Sequence, residues 1–372
     1  MKERISIRQM MFLFIFISIT PILSYIPKVA AINGKNNGYV CAIYYTVLLC
    51  IFAGLLLNIV RVYPGKNFYE ILTELTGKII AKVILFLYGV WGFLFMIYKI
   101  SSYSLLLKTT MMPDTASYIT IGALFLLILY AVLKGTKTIF RIAEFLYGPV
   151  LFILVILFFF AFTNINREYL VPISTEQLKA NFLSLKSLGA VGGNLFLLLI
   201  FLKPITLTNS YPVIKKRMIQ AVLVFFLLSF LSILLAIGIS GASLTGKYTY
   251  SIFQTLKCVS LFQTFERFDS FITILCVFSD FVTICIFMVL TMKCFSAAFG
   301  IRNYREIGVA ALTIGCVFVV IRDISLYEME TGYRDCMDTI SLVFEYLIPV
   351  ILGIVCLFKR GSSKIENSSK QK

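Results

Sequence analysis

The stretch "FISITPILSYIP", residues 16 to 27, decides how the fold is read. It lies inside an apolar run long enough to cross a bilayer, yet it places Ser18, Thr20, Pro21, Ser24 and Pro27 where hydrocarbon is expected. Within a bilayer an unpaired backbone N–H or C=O costs several kcal/mol, so unwound backbone survives only where it is buried in protein or lines a cavity. Pro21 removes a donor and clashes with the preceding turn, which frees carbonyls near residue 17. The stretch therefore predicts a helix interrupted beside a binding site. A simple proline kink is the plainer alternative.

The surrounding chain is built for a membrane. Of 372 residues 59% are hydrophobic and 14% charged, and the Phe, Ile and Leu runs are too long for soluble core helices. A spanning helix needs about 20 apolar residues to cover a hydrocarbon core about 30 Å thick. Ten stretches qualify: 9–29, 39–60, 83–107, 117–133, 139–162, 187–206, 218–242, 270–292, 307–322 and 339–358. The fourth and ninth are short, and the third is long enough to require tilt.

Positive charge sets the orientation, because cytoplasmic loops retain Lys and Arg. With the amino terminus inside, the inner segments hold 22 of the 34 basic residues and the outer loops 11, while acidic residues divide as five inside and ten outside. Both termini are expected in the cytoplasm. The net charge of +16 is thus topological rather than a nucleic-acid footprint. The tail 359–372, "KRGSSKIENSSKQK", is polar and reads as disordered, with mild attraction to anionic lipid. A cleaved signal peptide is disfavoured by Pro21, Ser24, Pro27 and Lys28 within or beside the apolar region.

A second interruption falls in span six, "SLGAVGGNLFLLLIFLKPI" (187–205), where Gly189, Gly192, Gly193 and Asn194 sit near the middle. Close helix packing through small residues is the alternative there. Breaks in spans one and six of ten are the pattern of two five-helix inverted repeats, about 9–162 and 187–358, in one membrane domain over 1–358. Half-helix N-termini attract an anionic group and freed carbonyls attract a cation, which suits a zwitterion.

Five ionisable residues stand out within the predicted spans or at their ends. Asp280, central in span eight, shares a helical face with Thr273, Cys276, Thr283, Thr291 and Cys294, a stripe that must turn from lipid. Lys99 in span three either snorkels toward the outer surface or pairs with Asp280. Glu345 in span ten reads as nearer the outer interface. Arg141 and Glu144, three residues apart, read as an interfacial ion pair. The segment 64–80 reads as a short amphipathic inner helix with Phe68, Ile71, Leu72 and Leu75 on one side. The outer loop 243–269 is long enough to cover the site entrance.

With no histidine and no Cys-x-x-Cys among nine cysteines, zinc sites, histidine relays and Ser-His or Cys-His nucleophiles are excluded or disfavoured. Cys258 and Cys336 fall in outer loops and have the option of pairing. No enzyme activity and no cofactor are expected.

"PGKNFYEILTELTGKIIAK" (64–82), "MMPDT" (111–115), "KGTKTIFRIAEFLYGP" (134–149) and "FERFDSFITILCVFSDFVTICIF" (265–287) follow in an order and spacing that resemble the endospore germination permease family. These are the B-type subunits of spore nutrient-germinant receptors, within the amino acid–polyamine–organocation superfamily. The resemblance implies an all-α, ten-span inverted-repeat protein of the bacterial spore inner membrane. It further implies binding of a small nutrient such as an amino acid, and work with A-type and C-type partner subunits. Two departures stand out. The chain has no glycine before Gly34 at the first break, and Asn194 stands where many relatives carry an acidic residue.

The expected ligand site takes Ser18, Thr20 and Pro21 as one wall and Gly192, Gly193 and Asn194 as the other. Tyr98 and Lys99 approach from span three and Asp280 from span eight. The same residues fit a proton-coupled amino-acid transporter with Lys99 or Asp280 handling protons, or an ion-conducting subunit.

Overall fold

Ser6 and Gln9 set the start of the first helix with a capping box: the Ser6 hydroxyl accepts from Arg8 N at 3.3 Å and the Gln9 side chain from Ser6 N at 3.2 Å. In the computed structural model, which describes residues 5–171, 175–183, 185, 192–257, 268–301 and 304–369, this helix is α1, Ile7–Gly34. It continues through Pro21 and Pro27 without a break, which corrects the expectation of an interrupted first span. Pro21 removes the N–H that would reach Ile17 O, and hydroxyl side chains brace the turns around it. Ser279 Oγ donates to Phe16 O at 2.8 Å, Ser18 Oγ to Phe14 O at 2.8 Å and Ser24 Oγ to Thr20 O at 2.7 Å.

The chain then runs through a 3₁₀ turn Lys35–Val40, α2 (Cys41–Val62), the short α3 (Phe68–Thr76), α4 (Lys78–Thr110), α5 (Ser117–Lys134), α6 (Thr136–Phe162) and α7 (Thr175–Leu183). Gly77 and Gly135, at φ +87° and +98°, make the turns into α4 and α6 that a side chain would strain. α3 is the anticipated amphipathic helix, burying Phe68, Ile71 and Leu72 while Lys66 pairs with Glu74.

Span six is irregular, as its glycines imply. A 3₁₀ turn Gly193–Phe196 leads to α8 (Leu197–Ile200), a turn at Phe201, and α9 (Leu202–Thr206). Gly189 lies outside the described residues. Beyond it come α10 (Tyr211–Ser240), α11 (Ala242–Thr245), α12 (Ser251–Lys257), α13 (Phe268–Phe299) and α14 (Tyr304–Arg322). The last helical run contains α15 (Leu326–Glu328), a π turn Met329–Tyr333, α16 (Arg334–Ser341), a second π turn Leu342–Leu347 and α17 (Ile348–Ser369). The helix therefore extends into the tail expected to be disordered. Cys258 lies outside the described residues, and Cys336 is exposed.

No strand occurs among the described residues, and seven helical runs are long and apolar enough to cross a membrane. One of them, Ile7–Val62, joins the first two expected spans through the 3₁₀ turn. The stretch expected as the ninth span forms the helix α14, which is not among those seven and carries Arg305, Glu306 and Arg322 near its two ends.

Packing gives the directions. Tyr346 packs on Phe52 and Gly353 meets Leu55, so α2 and the last run are parallel and both termini leave the same end. Thr208 Oγ1 donates to Ile5 O at 2.7 Å, so span six descends toward that end while α1 rises from it. Glu144 is bonded at this end by Arg8 and Gln9, because the start of α1 lies against α6, and the Arg141 charge acts on it without forming a close ion pair.

Candidate functional site

α1, α4, α13 and the last run converge on a cavity of about 60 Å³ of water-accessible space. Its polar lining combines hydroxyls and amides (Thr20, Ser24, Ser102, Asn194, Thr283), phenols (Tyr25, Tyr98, Tyr250) and charges (Lys99, Arg334, Asp338), with Pro21 and Phe95 among the apolar walls. A larger groove of about 540 Å³ at the terminus-bearing end is mainly apolar, with Lys203, Lys293 and Asn67 as its polar groups. Convergent polar groups in an interior site favour the smaller cavity.

Lys99 is 9% exposed and Asp280 0%, and Lys99 Nζ lies 3.3 Å from Asp280 Oδ1. The lysine therefore pairs inward rather than snorkelling. It is also 6.0 Å from the centroid of Phe95, giving the ammonium a second weak attraction. The expected stripe is buried in full: Thr273, Cys276, Asp280, Thr283, Thr291 and Cys294 all lie within the bundle. Thr20 joins α1 to it, donating through Oγ1 to Cys276 O at 3.2 Å and through its backbone N–H to Ser279 Oγ at 3.3 Å.

Five of the nine expected ligand residues line the cavity: Thr20, Pro21, Tyr98, Lys99 and Asn194. Asp280 stands behind Lys99. Ser18 is buried, but its hydroxyl is spent on Phe14 O, so it supports α1 rather than facing the cavity. Gly192 and Gly193 also lie elsewhere. A Cβ on Gly193 would fall 2.2 Å from Glu345 Oε2, and one on Gly192 would fall 3.0 Å from Tyr346 Oη. Close helix approach is what these glycines permit.

Two seals flank the cavity. Away from the termini, Lys28 Nζ contacts Glu330 Oε1 at 2.8 Å, Arg334 lies 3.8 Å from Glu330 and 4.9 Å over the Tyr25 ring, and Tyr25 Oη donates to Asp338. Tyr250, in the segment before α12, reaches the cavity, and burial pushes its phenol pKa up. Toward the termini, Trp91, Phe95, Phe287 and Phe344 stack, with Trp91 to Phe344 at 5.3 Å and Phe95 to Phe287 at 4.2 Å. Trp91 Nε1 donates to Ser341 Oγ at 3.3 Å, and Tyr88 Oη to Phe344 O at 2.6 Å.

Tyr25, Arg334 and Asp338 were not anticipated. Tyr25 follows Pro21 by one turn on α1, and Arg334 and Asp338 are themselves one turn apart, which is the signal that identifies them.

A family model described as "Spore germination protein" matches residues 4–331. The chain belongs to the spore germination protein family. Among similar proteins, spore germination protein KB of Bacillus subtilis (strain 168) is 22% identical over 99% of this chain and all of its own length. The putative spore germination protein YfkT of the same organism is 20% identical over 66% of this chain and 67% of its own. Among solved structures, an Eremococcus coleocola manganese transporter crystallised with an aromatic bis-isothiourea compound aligns with a TM-score of 0.61. That alignment has 14% identity and covers 94% of this chain and 78% of the transporter's, so the likeness is one of fold. Among the described residues, no three His, Cys, Asp or Glu side chains gather as metal ligands.

Proposed function

We propose that the chain is the nutrient-binding membrane subunit of a spore germination receptor. The observation that carries this reading is the interior cavity in which Lys99 and Arg334 face Asp338 and a ring of hydroxyls. Opposite charges a short distance apart suit the carboxylate and ammonium of a free amino acid. About 60 Å³ is far below the several hundred of drug-sized sites, so the ligand is small and one of the seals opens to admit it. Ligand then signals by binding the two states unequally.

In this reading the ten expected spans form two inverted five-helix repeats in one domain, with span six carrying the break. The descent of span six against the rise of α1 supports that arrangement. The protein sits in the spore inner membrane with both termini cytoplasmic, and A-type and C-type subunits read its state. No cofactor is involved.

A proton-coupled amino-acid transporter is the second reading. It is favoured by the buried Lys99–Asp280 pair, in which an ammonium stands where a coupling cation is able to act.

The test is ligand protection in nanodiscs, titrated with amino acids and nucleosides. Saturating ligand at 100 times its Kd stabilises by about 2.7 kcal/mol, and a small amino acid is expected to raise Tm. No shift with any candidate, with or without partner subunits, contradicts the proposal. Concentrative pH-driven uptake in proteoliposomes would instead select the transporter.

A further inference from the structure

Glu345 is the most isolated ionisable group among the described residues. It is 0% exposed, and neither Oε1 nor Oε2 has a hydrogen-bond partner. It lies in the π turn Leu342–Leu347 and presses on the 3₁₀ turn Gly193–Phe196 so closely that Gly193 has no room for a Cβ. Two departures from α-helix thus face one another across a carboxyl group. π turns inside α-helices recur at functional sites.

The groups around it come from three elements. On α4 these are Lys99, whose charge reaches it, and Tyr88, whose hydroxyl is committed to Phe344 O. On its own helix they are Asp338 and Tyr346. From α2, Leu49 and Phe52 pack beside Tyr346, and Tyr45 lies within electrostatic reach of that phenol. Among the described residues the one cation acting on it, Lys99, is already bound to Asp280 at 3.3 Å. A carboxylate left without donor or counter-ion in such surroundings neutralises rather than remaining charged.

We propose that Glu345 is a proton-binding site. Its carboxyl is neutral while the two turns are packed together, and it releases the proton when span six and the last helix part. The proton is then the ligand of this contact, and its release favours the separated arrangement because a charged carboxylate needs water or a cation. Glu345 does not line the nutrient cavity, although Lys99 and Asp338, which do, act on it electrostatically.

Infrared titration of the full-length protein in nanodiscs tests this directly. At pH 7 the wild type is expected to show a protonated-carboxyl band that is absent from Glu345→Gln and retained in Asp280→Asn and Asp338→Asn. Gly193→Ala, whose methyl group forces the contact apart, is expected to move loss of that band to lower pH. Thermal melting supplies a second readout. If the folded state holds a proton that the unfolded chain releases, stability falls as pH rises, and Glu345→Gln removes that slope. A wild type with no band assignable to Glu345 at neutral pH overturns the proposal. So does a band unmoved by Gly193→Ala, or a melting profile identical in wild type and Glu345→Gln.

Discussion

Removing Lys99 strands Asp280 in the protein interior. Breaking one side of a buried pair costs about 3–5 kcal/mol, whereas replacing both sides with apolar groups is often near neutral. Lys99→Met is therefore expected to lower stability strongly and Lys99→Met/Asp280→Leu to regain most of the loss, which a double-mutant cycle on thermal melting measures. Equal losses in the single and double variants contradict the pairing. This pair was legible from sequence, because the cost of charge within a bilayer forces both residues inward and leaves few counter-ions. Glu345 was misjudged for a related reason. Its place near the edge of a hydropathy window suggested an interface, but the helix begins at Leu326, thirteen residues before the window, and carries it into the bundle. Arg334 and Asp338 were counted as loop charges on the same account.

At the scale of elements, the first helix departs most from expectation. Proline and hydroxyl residues in its middle predicted unwound backbone, yet α1 stays helical, and Ser279 on α13 bridges the turn before Pro21 by accepting from Thr20 N–H and donating to Phe16 O. That partner is 263 positions away in sequence, so no local pattern reveals it. Ser279→Ala is expected to cost about 0.6–1.7 kcal/mol, the range of interhelical hydrogen bonds in membranes, read by thermal melting. A cost near zero would mean that Phe16 O finds another donor. Span six behaved as its glycines suggested in being irregular, but their space is taken by Glu345 and Tyr346 rather than by a ligand. Sequence indicates that a small residue is required, and only packing shows what approaches it. Gly193→Leu is accordingly expected to lower stability, in line with the 1–3 kcal/mol typical of overpacking.

Across the whole molecule the cavity lies between an ionic seal and an aromatic one. Lys28→Ala removes a contact of the first, and in a background lacking Cys50, Cys258 and Cys336 it is expected to speed labelling of Ser102→Cys by a membrane-impermeant reagent. Unchanged labelling would place the entrance elsewhere. Membrane class and family were readable across nearly the full chain, since hydropathy and ordered motifs are properties of sequence. The pocket was half readable, because five lining residues sit on polar faces while the rest enter through helix pairings. Ser102 lines the cavity without any hydrogen bond assigned to it, so Ser102→Phe fills the chamber at little cost to the bundle. Equilibrium binding of radiolabelled amino acid to the nanodisc protein should be saturable in the wild type and abolished by Ser102→Phe at unchanged Tm. Undiminished binding by the filled variant would show that the nutrient binds somewhere other than this cavity.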